Sequence, residues 1–240
     1  MAKILDVRVD DFSKVEALGR SRGFLRSGGQ HAIYTPNPEM LVAAHRDHAF
    51  RDILNKGDLN ICDGRGIQLF GGIRYRIPGV EFMQELCEVA GKEKKTVYLL
   101  GSSSDEILKK VKNKLKEVYP KLEIVGFSTG PLLDKKGLGD SDETIKNINS
   151  TNPDILFVAF GHGKQEYWID QNLQKFPCVK IAMGVGGSFD FISGNKKRAP
   201  RCMRKMGMEW LWRLLVEPKR IKRIINAIIV FPYFIFKSKI

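Results

Sequence analysis

The sequence predicts an α/β protein with a mostly parallel β-sheet flanked by helices. Two features of the chain support this fold class. From residue 96 onward, short apolar segments typical of buried strands alternate with segments of helical periodicity. Several of these strands end in glycine-containing turns, which is the strand–turn–helix order of βαβ units. With 240 residues and 43% hydrophobic content, the chain is long enough to bury a sizeable core.

The predicted strands and helices alternate along the chain as in a Rossmann-like fold. Asn37 suits the N-cap of the first predicted helix, and Pro38 suits its first turn. Trp168 lies among apolar neighbours and is expected in the core. The predicted strands are residues 3–9, 31–34, 59–62, 96–100, 122–127, 155–160 and 179–183. The predicted helices are residues 39–55, 82–90, 107–119, 144–149 and 165–175.

The positive charge is concentrated at the C-terminal end. The formal net charge is +13, of which residues 195–240 carry +11 and residues 1–194 only +2. We therefore expect an α/β catalytic domain at residues 1–194 and a basic C-terminal appendage at residues 195–240. Such an imbalance favours a polyanionic partner, either nucleic acid or an anionic lipid surface.

The appendage has the pattern of a basic amphipathic helix, the type that lies on anionic membranes. Residues 224–236 are nearly all apolar, but this stretch of thirteen is shorter than the ~20 residues that span a bilayer. We therefore expect it to dock on a membrane. Packing on the core, or burial between subunits of a homo-oligomer, are the alternatives. The apolar positions with helical spacing are Ile221, Ile224, Ile225 and Ile228, and the basic positions opposite them are Lys219, Lys222 and Arg223.

Cysteine usage and the N-terminus favour a cytosolic protein. The four cysteines are scattered without a CxxC motif, as expected for reduced thiols. An acidic residue, Asp6, interrupts the apolar N-terminal residues, so no signal peptide is expected. His45 and His48 have the spacing of two metal ligands on a helix, but no third ligand accompanies them, so no metal site is expected.

A glycine-rich stretch follows the last predicted strand. Gly184, Gly186 and Gly187 allow a ligand to approach the main chain closely, and backbone amides in such a turn can hold a phosphate. Ser188 and Asp190 come directly afterwards. We interpret this stretch as a binding loop; the alternative is a tight turn without a ligand.

Other polar residues fall at the ends of predicted strands and are expected to converge with this loop at one edge of the sheet. Asp63 follows an apolar strand, where partial burial would raise its pKa and make it a usable base; the alternative is an aspartate that stabilises its own turn. The stretch from Gly101 to Ser104 lacks the P-loop lysine and the dinucleotide fingerprint. The remaining candidates for substrate contact are Thr35, Asn37, Arg65, His162, Gln165, Glu166 and Arg198.

Together these segments resemble the WecG/TagA/CpsF family of bacterial glycosyltransferases over nearly the whole chain. The resemblance rests on the order and spacing of several short motifs. They are Thr35-Pro36-Asn37-Pro38-Glu39, Asp63-Gly64-Arg65-Gly66, Lys164-Gln165-Glu166-Tyr167-Trp168, the stretch from Gly184 to Gly194, Arg198-Ala199-Pro200, Glu209-Trp210-Leu211-Trp212-Arg213 and Glu217-Pro218.

The resemblance implies the transfer of a sugar, with inversion, from a UDP-sugar to an undecaprenyl-diphosphate-linked sugar. The first choice for the transferred sugar is N-acetylmannosamine. The product would serve cell-surface polysaccharide or teichoic acid synthesis at the cytoplasmic face of the plasma membrane. The implied enzyme is a peripheral membrane protein that needs no metal or other cofactor. Its implied fold is distinct from the two common glycosyltransferase folds, with an appendage that completes the active site.

The resemblance also assigns residue roles. Asp63 matches the general base, and Thr35, Asn37 and Gln165 match pocket residues near the reacting sugar. The loop with Gly184, Gly186, Gly187, Ser188 and Asp190 looks like the nucleotide-sugar site. Arg198, Arg213 and Arg220 are candidates for the diphosphates, because guanidinium groups pair bidentately with phosphate oxygens.

Three alternatives remain open. Cys62 and Gly163 stand where the family often has proline, so the second choice is a family member that uses another donor. This donor would be UDP-glucose, UDP-galactose or UDP-N-acetylmannosaminuronate, and the product would serve capsule or exopolysaccharide synthesis. A nucleic-acid-binding protein would use the basic appendage, but its aromatic residues lie among apolar neighbours, so no nucleic-acid partner is expected. A nucleotide-dependent oxidoreductase would need the missing dinucleotide fingerprint.

Overall fold

The computed structural model describes residues 2–238. It begins with an antiparallel hairpin of two short strands, β1 (Ala2–Ile4) and β2 (Val7–Val9). The single strand predicted at residues 3–9 is therefore wrong. Leu5 and Asp6 have positive φ angles of 48° and 65°, and this left-handed backbone reverses the chain between the two strands.

The centre of the fold is a six-stranded parallel sheet, which confirms the predicted α/β class. Its strands are β3 (His31–Tyr34), β4 (Leu59–Asn60), β5 (Thr96–Leu100), β6 (Glu123–Ser128), β7 (Ile155–Val158) and β8 (Ile181–Gly184). They pair in the order β4–β3–β8–β7–β5–β6. The strands β7 and β8 are buried along their whole length, as expected for parallel strands covered on both faces.

Two hydrophobic clusters cover the two faces of the sheet. Along β7, Leu156 and Val158 belong to one cluster, whereas Ile155 and Phe157 belong to the other, because successive side chains of a strand point to opposite faces. The helices are α1 (Lys14–Arg26), α2 (Pro38–Arg46), α3 (His48–Lys56), α4 (Arg65–Gly71), α5 (Gly79–Lys92), α6 (Asp105–Val118), α7 (Asp142–Thr151), α8 (Lys164–Asn172) and α9 (Ser188–Ser193). Helices α2, α3, α7 and α8 lie on the first face, and α1, α5, α6 and α9 lie on the second.

The helix predicted at residues 39–55 is interrupted. Asp47 has extended backbone angles, with φ −124° and ψ 102°, and its Oδ1 accepts a hydrogen bond from the Phe50 amide at 3.2 Å. This carboxylate is the N-cap of α3, so a second helix begins where the prediction continued the first. The predicted cap of α2 is confirmed, since Asn37 Oδ1 accepts from the Met40 amide at 3.1 Å.

The C-terminal segment wraps back onto the first face of the sheet. After α10 (Arg201–Lys205) and α11 (Glu209–Val216), residues 218–237 form one continuous helical segment, which we call the tail helix. It consists of a 3₁₀ turn (Pro218–Arg220), α12 (Ile221–Ile225), a π-helical turn (Asn226–Val230) and α13 (Phe231–Lys237). The π-helical turn ends two residues before Pro232, which has no amide hydrogen to donate to a carbonyl of the preceding turn.

The tail helix packs on α2 and α4 through only part of its apolar surface. Phe231 and Ile235 are buried in the cluster that covers the first face of the sheet, and Ile224 is also buried. Of the four isoleucines predicted to share an apolar face, only Ile224 is buried, and the other three are exposed. Within residues 2–238, none of the helices has the length and apolarity that crossing a bilayer requires.

Candidate active site

A cavity of about 590 Å³ opens at the carboxyl ends of four neighbouring strands. Thr35 follows β3, Asp63 comes shortly after β4, Ala159 follows β7, and Val185 follows β8, and all four residues line the cavity. The structure therefore brings together the polar strand ends, as expected for the crevice of an open parallel sheet. The volume of the cavity is in the usual range for a small-molecule site.

Most of the predicted site residues line this cavity. One wall is formed by the C-terminal segment, which contributes Arg213 and Arg220 together with Trp210 and Ile228. The predicted residues that line the cavity are Thr35, Asn37, Asp63, Arg65, His162, Gln165, Gly186, Gly187, Ser188, Asp190, Arg198, Arg213 and Arg220. Glu166 and Gly184 do not line it.

Asp63 is held at the base of the cavity by two backbone contacts. Its amide donates to the Pro36 carbonyl, and its Oδ1 accepts from the Gly79 amide, both at 3.0 Å. The carboxylate thus fixes the start of α5 rather than its own turn. Among the described residues, none donates a hydrogen bond to its Oδ2.

The surroundings of Asp63 favour its protonated form. Burial raises the pKa of the Asp63 carboxyl above its usual value, and the negative charge of Glu209 adds to this shift. The hydrogen bond from Gly79 and the positive charges of Arg213 and Arg76 oppose it. A carboxylate with a raised pKa is a stronger proton acceptor than a solvated one.

A chain of hydrogen bonds links Glu166, Gln165 and the glycine loop. Gln165 Nε2 and the Gly163 amide each donate to a different oxygen of the buried Glu166 carboxylate, both at 2.7 Å. Gln165 Oε1 in turn accepts from the Gly186 amide at 2.9 Å. Burial raises the pKa of Glu166 to about 7. Glu166 therefore lies behind Gln165 and orients it, so the predicted contact of Glu166 with substrate is not supported by its position.

Gly184 also acts behind the cavity wall. A Cβ atom at this position would lie 2.6 Å from Gln165 Nε2, so a larger residue would displace the glutamine. The positive φ of the loop is at Gly186, with a value of 51°. The requirement for glycine at 184 is therefore one of space for Gln165, not of contact with a ligand.

The predicted phosphate-binding arginines are all paired with carboxylates of the protein. Arg198 Nη2 lies 2.9 Å from Glu81 Oε1, and Arg220 Nε lies 2.6 Å from Glu217 Oε2. Arg213 Nη2 lies 3.3 Å from Glu209 Oε1. Seven lysine and arginine side chains and four acidic side chains line the cavity, so its lining is basic overall.

Comparison with known proteins identifies the family. A sequence model of the glycosyl transferase WecG/TagA/CpsF family matches residues 2–240. The chain belongs to this family. It is similar to an N-acetylglucosaminyldiphosphoundecaprenol N-acetyl-beta-D-mannosaminyltransferase of Bacillus subtilis (strain 168), with 36% identity covering 81% of this chain and 75% of the relative. A protein of the same name from Staphylococcus aureus (strain NCTC 8325 / PS 47) is 32% identical, covering 98% of this chain and 92% of the relative.

The resemblance to the WecG/TagA/CpsF family drawn from the motifs is confirmed, and the protein is a glycosyltransferase. Several charged residues that line the cavity of this WecG/TagA/CpsF protein were not predicted from the sequence. They are Glu39, Arg76, Lys196, Glu209 and Arg223. Arg223 lies three residues after Arg220, a spacing that places both on one side of a helix and could have indicated its position.

Glu39 connects the tail helix to the body of this WecG/TagA/CpsF glycosyltransferase. Its Oε1 lies 2.6 Å from Arg223 Nε and 3.6 Å from His162 Nε2. Burial lowers the pKa of His162, while Glu39 raises it and Arg223 and Arg220 lower it further. In the part of the chain that the structure describes, no three His, Cys, Asp or Glu side chains are grouped so that they could hold a metal ion.

Proposed function

We propose that this glycosyltransferase moves N-acetylmannosamine from a UDP-sugar to N-acetylglucosamine linked through a diphosphate to undecaprenol, with inversion at the anomeric carbon. The names of its relatives support the transferred sugar and the acceptor. The observation that carries the proposal is a single cavity that joins the Asp63 carboxylate to a basic wall. The product would enter cell-surface polysaccharide or teichoic acid synthesis.

In the proposed reaction, an acceptor hydroxyl attacks the anomeric carbon from the face opposite the UDP group. Asp63 Oδ2 takes the hydroxyl proton while the bond between the sugar and the UDP oxygen breaks. UDP leaves with the bonding electrons, and the attack from the opposite face inverts the configuration. Arg198, Arg213 and Arg220 would stabilise the charge that develops on the leaving diphosphate.

The other cavity residues are proposed to position the donor. Asn37 uses its Oδ1 to cap α2, which leaves its amide group for a sugar hydroxyl. Gly186 and Gly187 precede α9, which begins at Ser188, and these three residues would offer close main-chain approach to the nucleotide. Thr35 and Gln165 line the same cavity as Asp63 and would contact the reacting sugar. Arg65, His162 and Asp190 are the remaining cavity residues for which a contact with donor or acceptor is proposed.

A panel of donors tests this function. We expect purified enzyme with a short-chain lipid-diphosphate N-acetylglucosamine acceptor to use UDP-N-acetylmannosamine with a kcat/KM about tenfold or more above that of UDP-glucose, UDP-galactose or UDP-N-acetylmannosaminuronate. Because basic side chains are proposed to neutralise the diphosphate, EDTA should leave the rate unchanged. Preference for another UDP-sugar would support the second-choice donor, and failure to use any UDP-sugar would contradict the proposed function.

We also propose that the enzyme docks peripherally on the cytoplasmic face of the plasma membrane. The C-terminal segment exposes an apolar surface next to basic side chains, which we call the tail surface. Apolar surface of this kind beside lysines and arginines binds anionic lipid. A docked tail surface would bring the cavity to a lipid-linked acceptor. The tail surface consists of Leu215, Val216, Ile221, Ile225, Ile229, Tyr233 and Phe236.

Vesicle flotation tests the tail surface. We expect the wild type to float with vesicles rich in phosphatidylglycerol and the double variant Ile225→Asp, Ile229→Asp to bind about tenfold less, since both charges would have to be desolvated. Leu132→Asp is the matched control, because Leu132 is 97% exposed on a loop outside the tail surface. Equal flotation of the double variant would contradict the proposal. A dimer that dissociates in the double variant, without vesicle binding by either, would indicate an interface between subunits instead.

A further inference from the structure

One wall of the cavity changes from basic to apolar along its length. On α4, Arg65 lines the cavity in the first turn and Leu69 lines it one turn later. On the tail helix, Arg220 and Arg223 line the cavity before Ile228 does. Leu69 is 62% exposed and Ile228 is 38% exposed. The apolar end of this wall is therefore open to solvent.

The two helices that form this wall run side by side in the same direction. A Cβ atom on Gly66 would lie 3.7 Å from the Phe231 ring, and the ring centroids of Phe70 and Phe236 are 6.1 Å apart. These contacts advance along both helices together, so α4 and α13 are parallel. On each helix, the apolar lining residue therefore follows the basic ones in the same direction, and Leu69 lies further along this direction than Ile228 does.

We propose that this apolar wall, formed by Leu69 and Ile228, binds the first isoprene units of the acceptor's lipid carrier. The inference rests on the function proposed above, in which the acceptor is a sugar joined through a diphosphate to a polyprenyl chain. Such a molecule has a sugar, two phosphates and an apolar chain in that order. The protein presents Asp63 just before α4, Arg65 in its first turn and Leu69 one turn later, so one orientation of the acceptor matches all three parts.

The position of Leu69 separates this contact from general docking on a membrane. Leu69 belongs to the α/β body rather than to the tail surface, and it lines the cavity itself. When an apolar group of a ligand covers an exposed leucine, the burial of apolar surface lowers the free energy of the complex. Ile228 adjoins Ile229 of the tail surface, so the remaining isoprene units of the lipid carrier would have an apolar path from the cavity towards a bilayer.

Soluble acceptors test this contact in the absence of any membrane. The probes are N-acetylglucosamine diphosphate esters of methyl, prenyl and geranyl alcohols, used below their micelle concentrations and without vesicles. For the full-length enzyme, we expect KM to fall about tenfold from the methyl to the geranyl ester, because the longer chain buries apolar area on Leu69 and Ile228. In Leu69→Ser and in Ile228→Ser, this KM ratio should shrink to about threefold or less.

Leu132→Ser is the control, because it removes an equally apolar exposed side chain outside the cavity and should keep the wild-type KM ratio. A wild-type KM ratio near one, or a KM ratio that is unchanged in both cavity variants, would overturn the inference. Turnover of the methyl ester would still support the proposed function in that case. Failure of the wild type to turn over any of the esters would refute the proposed function, and the inference with it.

Discussion

Replacing Asp63 with asparagine is expected to lower kcat by about 10²- to 10⁴-fold, the usual contribution of a general base. Asparagine keeps the oxygen that accepts from the Gly79 amide, so the start of α5 should be retained. Binding of UDP, measured by calorimetry, should remain. Steady-state transfer at saturating donor and acceptor measures the loss.

The same variant should be as stable as the wild type or more so. Because the folded-state pKa of Asp63 is raised, the native state binds its proton more tightly than the unfolded chain does. The stability that this provides is present at low pH and is lost as the pH rises through the raised pKa. At pH 7 the ionised carboxylate therefore costs free energy, which asparagine removes. Thermal unfolding at pH 7 should give an equal or higher Tm.

Two further results distinguish proton acceptance by Asp63 from a general effect of its charge. In the wild type, kcat should fall as the pH decreases through the raised pKa of Asp63, because the protonated carboxyl accepts no proton. Asp190→Asn removes another carboxylate from the same cavity and should change KM more than kcat. Wild-type turnover by Asp63→Asn would show that the base lies elsewhere.

Replacing Phe231 with alanine is expected to detach the tail helix from the body. Phe231 is fully buried, with 0% exposure, and packs beside Gly66 of α4. Loss of a buried phenylalanine costs about 3–5 kcal/mol. Because the tail helix carries Arg220 and Arg223 into the cavity, kcat/KM with a soluble acceptor should fall by about tenfold or more.

Tyr233→Ala is the matched control for this prediction. Tyr233 is an aromatic residue two positions along the same helix, but it is 58% exposed. Its replacement should change the free energy of unfolding by less than about 0.5 kcal/mol and leave transfer to a soluble acceptor unchanged. Urea unfolding and the soluble-acceptor assay measure both quantities. Full activity of Phe231→Ala, despite its lower stability, would show that the docked tail is not required for transfer.

The sheet and the position of the cavity could be predicted from the sequence because both depend on local patterns. The apolar run at residues 155–158 has the length of a strand and no helical periodicity. In parallel sheets, the residues after such strands meet at one edge, so Thr35, Asp63 and Gln165 were correctly expected together. This rule places residues near a cavity without giving their individual contacts.

The remaining features depend on contacts that local patterns do not contain. Gln165 and Glu166 are adjacent in sequence, and only the rotation of α8 decides which one faces the cavity. The hairpin turns at Leu5 and Asp6 without a glycine to indicate it. On the tail helix, isoleucine spacing predicted a helix, but packing on α2 and α4 selected Ile224 alone for burial.

The ion pairs of the cavity arginines have a consequence for the catalytic cycle. Arg198, Arg213 and Arg220 already hold protein carboxylates as internal counterions. In the proposed reaction, an entering diphosphate would exchange with these carboxylates, so its affinity would reflect the difference between two sets of ion pairs. A singly charged anion gains little from that exchange and competes poorly. In the same proposed cycle, departure of the nucleotide would let the carboxylates pair with the arginines again, which would lower the free-energy cost of release and favour the next turnover.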